Sequence, residues 1–107
     1  MFRYEAGTQE MVGELPGLRH ARGDYPVPGV GSMDWVRREN GEIRAWLYGV
    51  DEETLCQIHL PVPGRCPVDF IYLAGAVLDP GPDAPTRRAY GHLLAAMLNA
   101  AAEEEAS

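Results

Sequence analysis

Residues 33–60, MDWVRRENGEIRAWLYGVDEETLCQIHL, contain three runs in which apolar and polar residues alternate, separated by two short polar turns. Alternation of this kind is typical of β-strands that bury one face. Asn40-Gly41 lies between the first two runs and strongly indicates a two-residue hairpin turn, because both residue types tolerate a positive φ. The stretch therefore predicts a three-stranded antiparallel meander.

The turns also predict how the three strands pair. A two-residue first turn places Trp35 opposite Trp46, and a four-residue loop over 51–54 places Leu47 opposite Ile58. Side chains alternate between the two faces of a strand, so this register assigns each residue of the meander to one face.

One predicted face is uniformly apolar and is the expected core side: Val36, Ile43, Ala45, Leu47, Cys56, Ile58 and Leu60. The opposite face mixes aromatic and polar side chains: Trp35, Arg37, Arg44, Trp46, Tyr48, Gln57 and His59. If the rest of the chain does not cover this mixed face, it is available for binding.

The N-terminal residues 1–32 are predicted to be irregular. A short strand over 2–5, about two turns of helix over 9–15 and an extended Gly/Pro-rich loop over 16–32 fit their sequence. Three apolar residues are expected to pin that loop to the core: Tyr25, Val27 and Val30.

The residues after the meander complete an α+β fold. Residues 68–78 predict a fourth strand, with a buried helix as the alternative, and extend the meander to 33–78. Pro85 begins a predicted helix over 84–102, which is followed by an acidic tail over 103–107.

The helix carries an amphipathic stripe at helical spacing: Tyr90, Leu93, Leu94, Met97, Leu98 and Ala101. We therefore expect a single domain over 1–107, an antiparallel meander of three to four strands with the C-terminal helix packed on one face. The helix is expected to cover four residues of the core side: Val36, Ala45, Leu47 and Ile58.

Composition and charge narrow the function classes. The chain has 107 residues and a net charge of −7, from 16 carboxylates against 9 basic residues, all of which are arginine. An acidic surface disfavours nucleic acid, which needs a cationic surface to displace counterions, and suits a basic protein partner. No apolar run reaches the length of a membrane span and no secretion signal is visible, so a cytoplasmic protein is expected, without a membrane partner.

The sequence offers weak signals for catalysis or metal binding. Cys56 and His59, with Cys66 nearby, are of the types that bind zinc or form a nucleophile–base pair. However, Cys56 and His59 are three residues apart on one predicted strand and so lie on opposite faces. The chain also lacks a Gly-rich phosphate loop and shows no paired carboxylates in an apolar setting. We expect no enzyme, no cofactor and no metal.

The leading hypothesis is a small acidic protein-binding module of the inhibitor, adaptor or secretion-chaperone type, as found in bacteria and phages. Its predicted binding residues are those of the mixed face: Trp35, Arg37, Arg44, Trp46, Tyr48, Gln57 and His59. A second, acidic contact is predicted at the turn of the second hairpin: Asp51, Glu52 and Glu53. A homodimer is expected, through the free strand edge or through the mixed face, because a small sheet leaves an unpaired edge.

Two alternatives remain open at this point. The mixed face has the aromatic and Arg residues that stack and contact single-stranded nucleic acid. A small metalloprotein or enzyme centred on Cys56, His59 and Cys66 is the other alternative.

Overall fold

The computed structural model describes residues 2–15, 17–62, 64–72 and 84–106. It has an α+β fold, in which two antiparallel sheets and a C-terminal helix share one hydrophobic core, and the predicted fold class is confirmed. The elements are β1 (Arg3–Glu5), β2 (Glu10–Val12), β3 (Arg22–Val27), β4 (Gly31–Arg37), β5 (Ile43–Gly49), β6 (Thr54–Leu60), β7 (Cys66–Pro67), β8 (Asp69–Ile71) and α1 (Ala84–Ala106).

The larger sheet has five strands in the order β3-β4-β5-β6-β8, and the smaller has three in the order β1-β2-β7. Every strand pair in both sheets is antiparallel. The predicted meander is therefore the centre of the five-stranded sheet, with one further strand on each side.

The hairpin between β4 and β5 closes with three residues rather than the predicted two. The Gly41 N–H donates to the Arg38 carbonyl at 3.0 Å, and the Arg38 N–H donates to the Glu42 carbonyl at 2.8 Å. Gly41 has a φ of 89°, and the Asn40 side chain accepts a hydrogen bond from the Glu42 N–H at 2.9 Å. This geometry is that of a turn followed by one left-handed glycine, and Asn40 acts as a side-chain acceptor. The predicted two-residue turn is wrong.

The extra turn residue shifts the pairing of β4 by one position. Trp35 pairs with Ala45, and Val36 pairs with Arg44. A one-residue shift moves every side chain of a strand to the other face. Trp35 therefore lies in the core with 1% of its surface exposed, and Val36 lies on the opposite face. The face predictions for Trp35, Val36 and Arg37 are wrong.

The hairpin between β5 and β6 also differs from the predicted register, but each of its residues lies on the predicted face of the sheet. Gly49 and Glu53 close the turn through a hydrogen bond of 2.9 Å from the Gly49 N–H to the Glu53 carbonyl. Leu47 pairs with Cys56 instead of Ile58, a shift of two positions that preserves the alternation. The core side predicted for these two strands is confirmed, with 1% or less of each residue exposed: Ile43, Ala45, Leu47, Cys56, Ile58 and Leu60.

The N-terminal part of the chain is more regular than predicted. Strand β1 lies within the predicted strand over 2–5, but β2 replaces the predicted helix, and β3 lies inside the predicted loop. The turn between β3 and β4 has Pro28 followed by Gly29, whose φ is 78°, and the Val30 N–H donates to the Val27 carbonyl at 3.0 Å. Proline followed by a positive-φ glycine is the signature of a type II turn. Of the three predicted pinning residues, Val27 is buried in the core, and Tyr25 and Val30 pack against it.

After the meander, β8 pairs with β6 in the region of the predicted fourth strand. The part of that prediction over 73–78 lies outside the described residues.

The helix α1 begins at Ala84, next to Pro85 as predicted, and continues to Ala106, beyond the predicted end at residue 102. Its buried face confirms most of the predicted stripe: Leu94, Met97, Leu98 and Ala101 are buried, while Tyr90 and Leu93 are partly buried. These residues share the core with Ala45, Leu47 and Ile58. The expected coverage of Val36 by the helix is wrong, because Val36 lies on the other face of the sheet.

Strand β1 holds the helix in place. A methyl group at Gly91 would collide with the Tyr4 ring, so the glycine allows that ring to lie directly against the helix. The Asn99 amide donates to the Phe2 carbonyl at 2.7 Å. These contacts, together with the buried Phe2 and Tyr4 side chains, join the start of the chain to its C-terminal helix.

The observed register makes opposite predictions for the two tryptophans. Trp35→Ala is expected to lower the free energy of unfolding by about 3–5 kcal/mol, because truncating a buried Trp leaves a cavity. Trp46→Ala, on the partly exposed face, is expected to cost about 1 kcal/mol. Urea unfolding followed by circular dichroism measures both, and the reverse order of the two costs would contradict the register.

Candidate functional site

The outward face of the five-stranded sheet, which we call the outer face, is the candidate site. Cross-strand pairs arrange its side chains in transverse rows. One row is Arg22, Val36, Arg44, His59 and Asp69, and the next is Asp24, Asp34, Trp46, Gln57 and Ile71. Paired residues on one face have Cβ atoms about 4.5–5.5 Å apart, so neighbours in a row contact one another.

Five of the seven residues predicted for the mixed face share the outer face: Arg44, Trp46, Tyr48, Gln57 and His59. Each of these five is partly buried. Trp35 and Arg37 lie on the inner side instead. The Trp35 indole packs against Gly23, where an added methyl group would collide with it. Its Nε1 has no hydrogen-bond partner within the described residues.

A groove runs over the β3, β4 and β5 part of the outer face. It encloses about 470 Å³, and the side chains that line it are Arg22, Asp24, Asp34, Val36, Trp46 and Tyr48. Gly23 and Trp35, which alternate with these residues along the strands, complete the lining. A second hollow of about 350 Å³ adjoins the groove and adds Ser32 and Glu52 to the residues around Asp24, Asp34 and Tyr48. Together, the groove and the second hollow place two aromatic side chains beside carboxylates from three different segments.

Asp24 and Asp34 form a pair of carboxyl groups directly opposite each other on β3 and β4. Burial raises the pKa of Asp34, and a side-chain hydrogen bond to Asp24 and the Asp24 charge raise it further. The sequence did not reveal this carboxyl pair, which lies on a partly exposed surface and not in an apolar setting, since Asp24 is exposed and Arg22 lines the same groove. The Pro28-Gly29 turn was the available signal, because a turn at that position pairs the two strands and brings residues 24 and 34 together.

The other end of the outer face is a network of ion pairs around Glu42. The Arg44 guanidinium lies 2.7 Å from the Glu42 carboxylate, His59 lies 3.5 Å away and Arg38 lies 3.6 Å away. The hydrogen bond from Arg44 is the largest cause that lowers the pKa of Glu42. His59 also lies 3.6 Å from Asp69. Arg44 therefore already has an acidic partner within the chain, and His59 lies between two carboxylates without a hydrogen-bond partner for its Nε2 among the described residues.

The residues predicted as an acidic contact occupy the turn between β5 and β6, and all three are exposed: Asp51, Glu52 and Glu53. Glu52 has a φ of 64°, which places it in the left-handed position of the turn, and it lines the hollow beside the carboxyl pair. The Glu53 carboxylate accepts a hydrogen bond from the Asp51 N–H at 3.0 Å. The turn thus contributes negative charge to the same end of the outer face as Tyr48.

The cysteines and His59 are not assembled into one site. Cys56 is fully buried on the core side, whereas His59 lies on the outer face, as predicted from their spacing. Burial raises the pKa of the Cys56 thiol to about 12 and also raises the pKa of Cys66. Within the described residues, no three His, Cys, Asp or Glu side chains form a cluster suited to a metal ion.

Comparison with protein-family models, with curated proteins and with solved structures finds no match for this chain. Within the described part of the chain, no helix combines the length and apolar character required to cross a bilayer.

Asp34→Asn is expected to stabilise the protein at pH 7 and to have a smaller effect at pH 3. Because the pKa of Asp34 is raised in the folded state, its contribution to stability falls as the pH rises above the ordinary value of 3.8. Like charges directly opposite on paired strands cost about 0.5 kcal/mol, which corresponds to a Tm increase of about 2–4 °C on removal.

Thermal unfolding at the two pH values measures this effect. Glu39→Gln, at the exposed hairpin between β4 and β5, removes one charge without affecting the pair and serves as the control. A lower Tm for Asp34→Asn than for the wild type at pH 7 would show that the carboxyl pair is not repulsive.

The two thiols are expected to differ in reactivity. Cys56 is inaccessible and its raised pKa keeps it protonated, so Ellman's reagent at pH 8 should modify at most Cys66 in the native protein and both thiols after unfolding. A Cys66→Ser variant should be unreactive until it is denatured. Rapid labelling of that variant in the folded state would contradict the burial of Cys56.

Proposed function

We propose that this chain is a small, acidic, non-catalytic module that binds another protein through its outer face, as an inhibitor, adaptor or secretion chaperone would. The observation that carries the proposal is the groove in which Trp46 and Tyr48 lie beside the carboxyl pair of Asp24 and Asp34. Partly exposed Trp and Tyr side chains are enriched at the centres of protein interfaces, where they often contribute most of the binding energy.

The aromatic residues supply the binding energy in this proposal. Trp46 and Tyr48 project from the same strand, two positions apart and on the same face, and each is only partly buried. Covering them removes a large apolar area from water while leaving the indole N–H and the phenol O–H able to bond to the partner. Ile71, 43% exposed at the end of the Trp46 row, extends this surface.

The charges indicate a basic partner. The chain carries a net charge of −7, and the carboxylates of Asp24, Asp34 and Glu52 surround the two adjoining hollows. Complementary charge of this kind raises the association rate and selects among partners. The acidic contact predicted at Asp51, Glu52 and Glu53 becomes part of the same surface in this proposal.

Single-stranded nucleic acid fits this face less well. The row that contains Trp46 also contains Asp34 and Asp24, whose charges would repel a phosphate backbone. Arg44, the basic residue next to Trp46 along β5, is held by Glu42 at 2.7 Å. Nuclease treatment of the captured material distinguishes nucleic-acid binding from binding to a protein.

The proposal also includes a cytoplasmic location and a homodimer. The two free cysteines suit the reducing cytoplasm. Strand β3 is an edge of the five-stranded sheet and is the element through which a homodimer would form. Light scattering during size-exclusion chromatography measures whether such a dimer exists.

The binding face is tested by affinity capture from a lysate of the source organism, with the captured proteins identified by mass spectrometry. A Trp46→Ala/Tyr48→Ala variant should lose a basic protein that the wild type retains, because the variant lacks the aromatic surface. Val62→Ala, which alters an exposed apolar side chain outside the outer face, is the matched control and should retain it.

Retention of the same protein by the double variant would contradict the proposed face. Capture that nuclease treatment abolishes would contradict the proposed partner class and favour nucleic acid.

A further inference from the structure

We propose that the groove over Asp24, Asp34 and Trp46 is a binding site for a guanidinium group, and that it takes an arginine side chain of the basic partner. This inference rests on the proposed function and gives the chemistry by which the outer face would recognise that partner. It is carried by the arrangement of the three side chains in one row, by the charge of the groove and by the shape of the guanidinium group.

The carboxyl groups are placed to act together. Asp24 and Asp34 are cross-strand partners on the same face, so their Cβ atoms are about 5 Å apart. A guanidinium group has five N–H donors in a planar fork and can donate to two carboxylate acceptors at once. Because both carboxylates belong to hydrogen-bonded strands of the sheet, little conformational entropy is lost when they bind.

The aromatic residues complete the site. Trp46 is the cross-strand partner of Asp34, and Tyr48 lies two positions further along β5 on the same face. Both side chains line the same groove as the carboxyl pair. Tryptophan is the best aromatic partner for a cation, and a flat guanidinium group can stack on an indole while its edge donates to carboxylates.

The charge of the groove selects a cation as its occupant. Neither Asp24 nor Asp34 forms an ion pair within the described residues, although five arginine–glutamate ion pairs occur elsewhere among them. Arg22 lines the groove without pairing to either carboxylate, and Arg44 is held by Glu42 at 2.7 Å. Burial is the largest cause of the raised pKa of Asp34, followed by the hydrogen bond to Asp24 and the Asp24 charge. An incoming cation would relieve the repulsion between the two carboxylates.

Arginine fits this site better than lysine. The groove is open to solvent and does not enclose its occupant, which favours a planar donor over a compact ammonium ion. An ammonium group is also more strongly hydrated and gains less when it leaves water.

The probe for the test is a capped Gly-Ser-Arg-Ser-Gly peptide, compared with the same peptide carrying lysine or citrulline in place of arginine. Binding at pH 7 is followed by amide chemical shifts in two-dimensional NMR, with the full chain. We expect shifts confined to the outer face around residues 24, 34 and 46. Asp34→Asn should weaken binding about 10-fold, as expected for the loss of a hydrogen bond between charged groups.

One control variant and one further test variant distinguish binding at this site from general electrostatic attraction. Glu39→Gln removes the same charge at an exposed turn and should change the affinity less than about 2-fold, the size expected for a screened surface charge. Trp46→Leu keeps an apolar side chain but removes the aromatic face, and should also weaken the arginine peptide. Thermal unfolding of each variant confirms that it is folded.

The inference is overturned if the arginine peptide causes no chemical-shift changes at about 10 mM, a concentration at which even weak binding is visible. Equal binding of the lysine peptide would also overturn it. So would an equal loss of affinity in Glu39→Gln and Asp34→Asn. The same variants separate this inference from the proposed function. If Asp34→Asn still captures the basic protein that Trp46→Ala/Tyr48→Ala loses, the outer face binds a partner but not through a guanidinium site. If the arginine peptide binds in the groove and no protein depends on that face, the proposed function is wrong.

Discussion

The three-residue turn that joins β4 to β5 determines how the remaining structure can form. Its left-handed Gly41 and the hydrogen bond between Arg38 and Glu42 fix which residues of the two strands are opposite each other. That register sends Trp35 into the core, where it is one of the largest fully buried side chains. A core built on a different register would contain Val36 in its place and would leave a volume that valine cannot fill. Turn geometry and core packing therefore support the same arrangement.

The same register between β4 and β5 divides the outer face into two halves. Around Glu42, basic and acidic side chains are paired with one another, so this half is largely neutralised. Around Asp34, a carboxyl pair lies beside aromatic side chains, and within the described residues Arg22, which lines the same groove, forms no ion pair with either carboxyl group. Unneutralised charge beside partly exposed aromatic surface costs stability in the free protein, and a partner that supplies a cation removes that cost. The proposed binding function thus depends on the half of the face that folding leaves electrostatically unsatisfied.

Sequence patterns predicted the elements in which one strong periodic signal extends over many residues. The core side of β5 and β6 was predicted correctly because a register error of two positions preserves which face each residue occupies. The start and the buried stripe of the helix were also predicted, from Pro85 and from apolar residues at helical spacing. The strands before residue 33 were missed, because β1 and β2 have three residues each and β3 contains Gly23 and Pro26. Short strands of this kind are stabilised by their partners and not by their own propensity.

By itself, the sequence determined the α+β class, the apolar side of the two central strands and a mixed aromatic and polar character for the opposite side, since these follow from composition and periodicity. Only the tertiary structure decided which tryptophan is core and which is surface. Asn40-Gly41 is compatible with turns of two or three residues, and the difference of one residue reverses every side chain of β4. It also decided that Asp24 and Asp34 meet, because their proximity depends on strand pairing across a turn and is not visible in either local sequence.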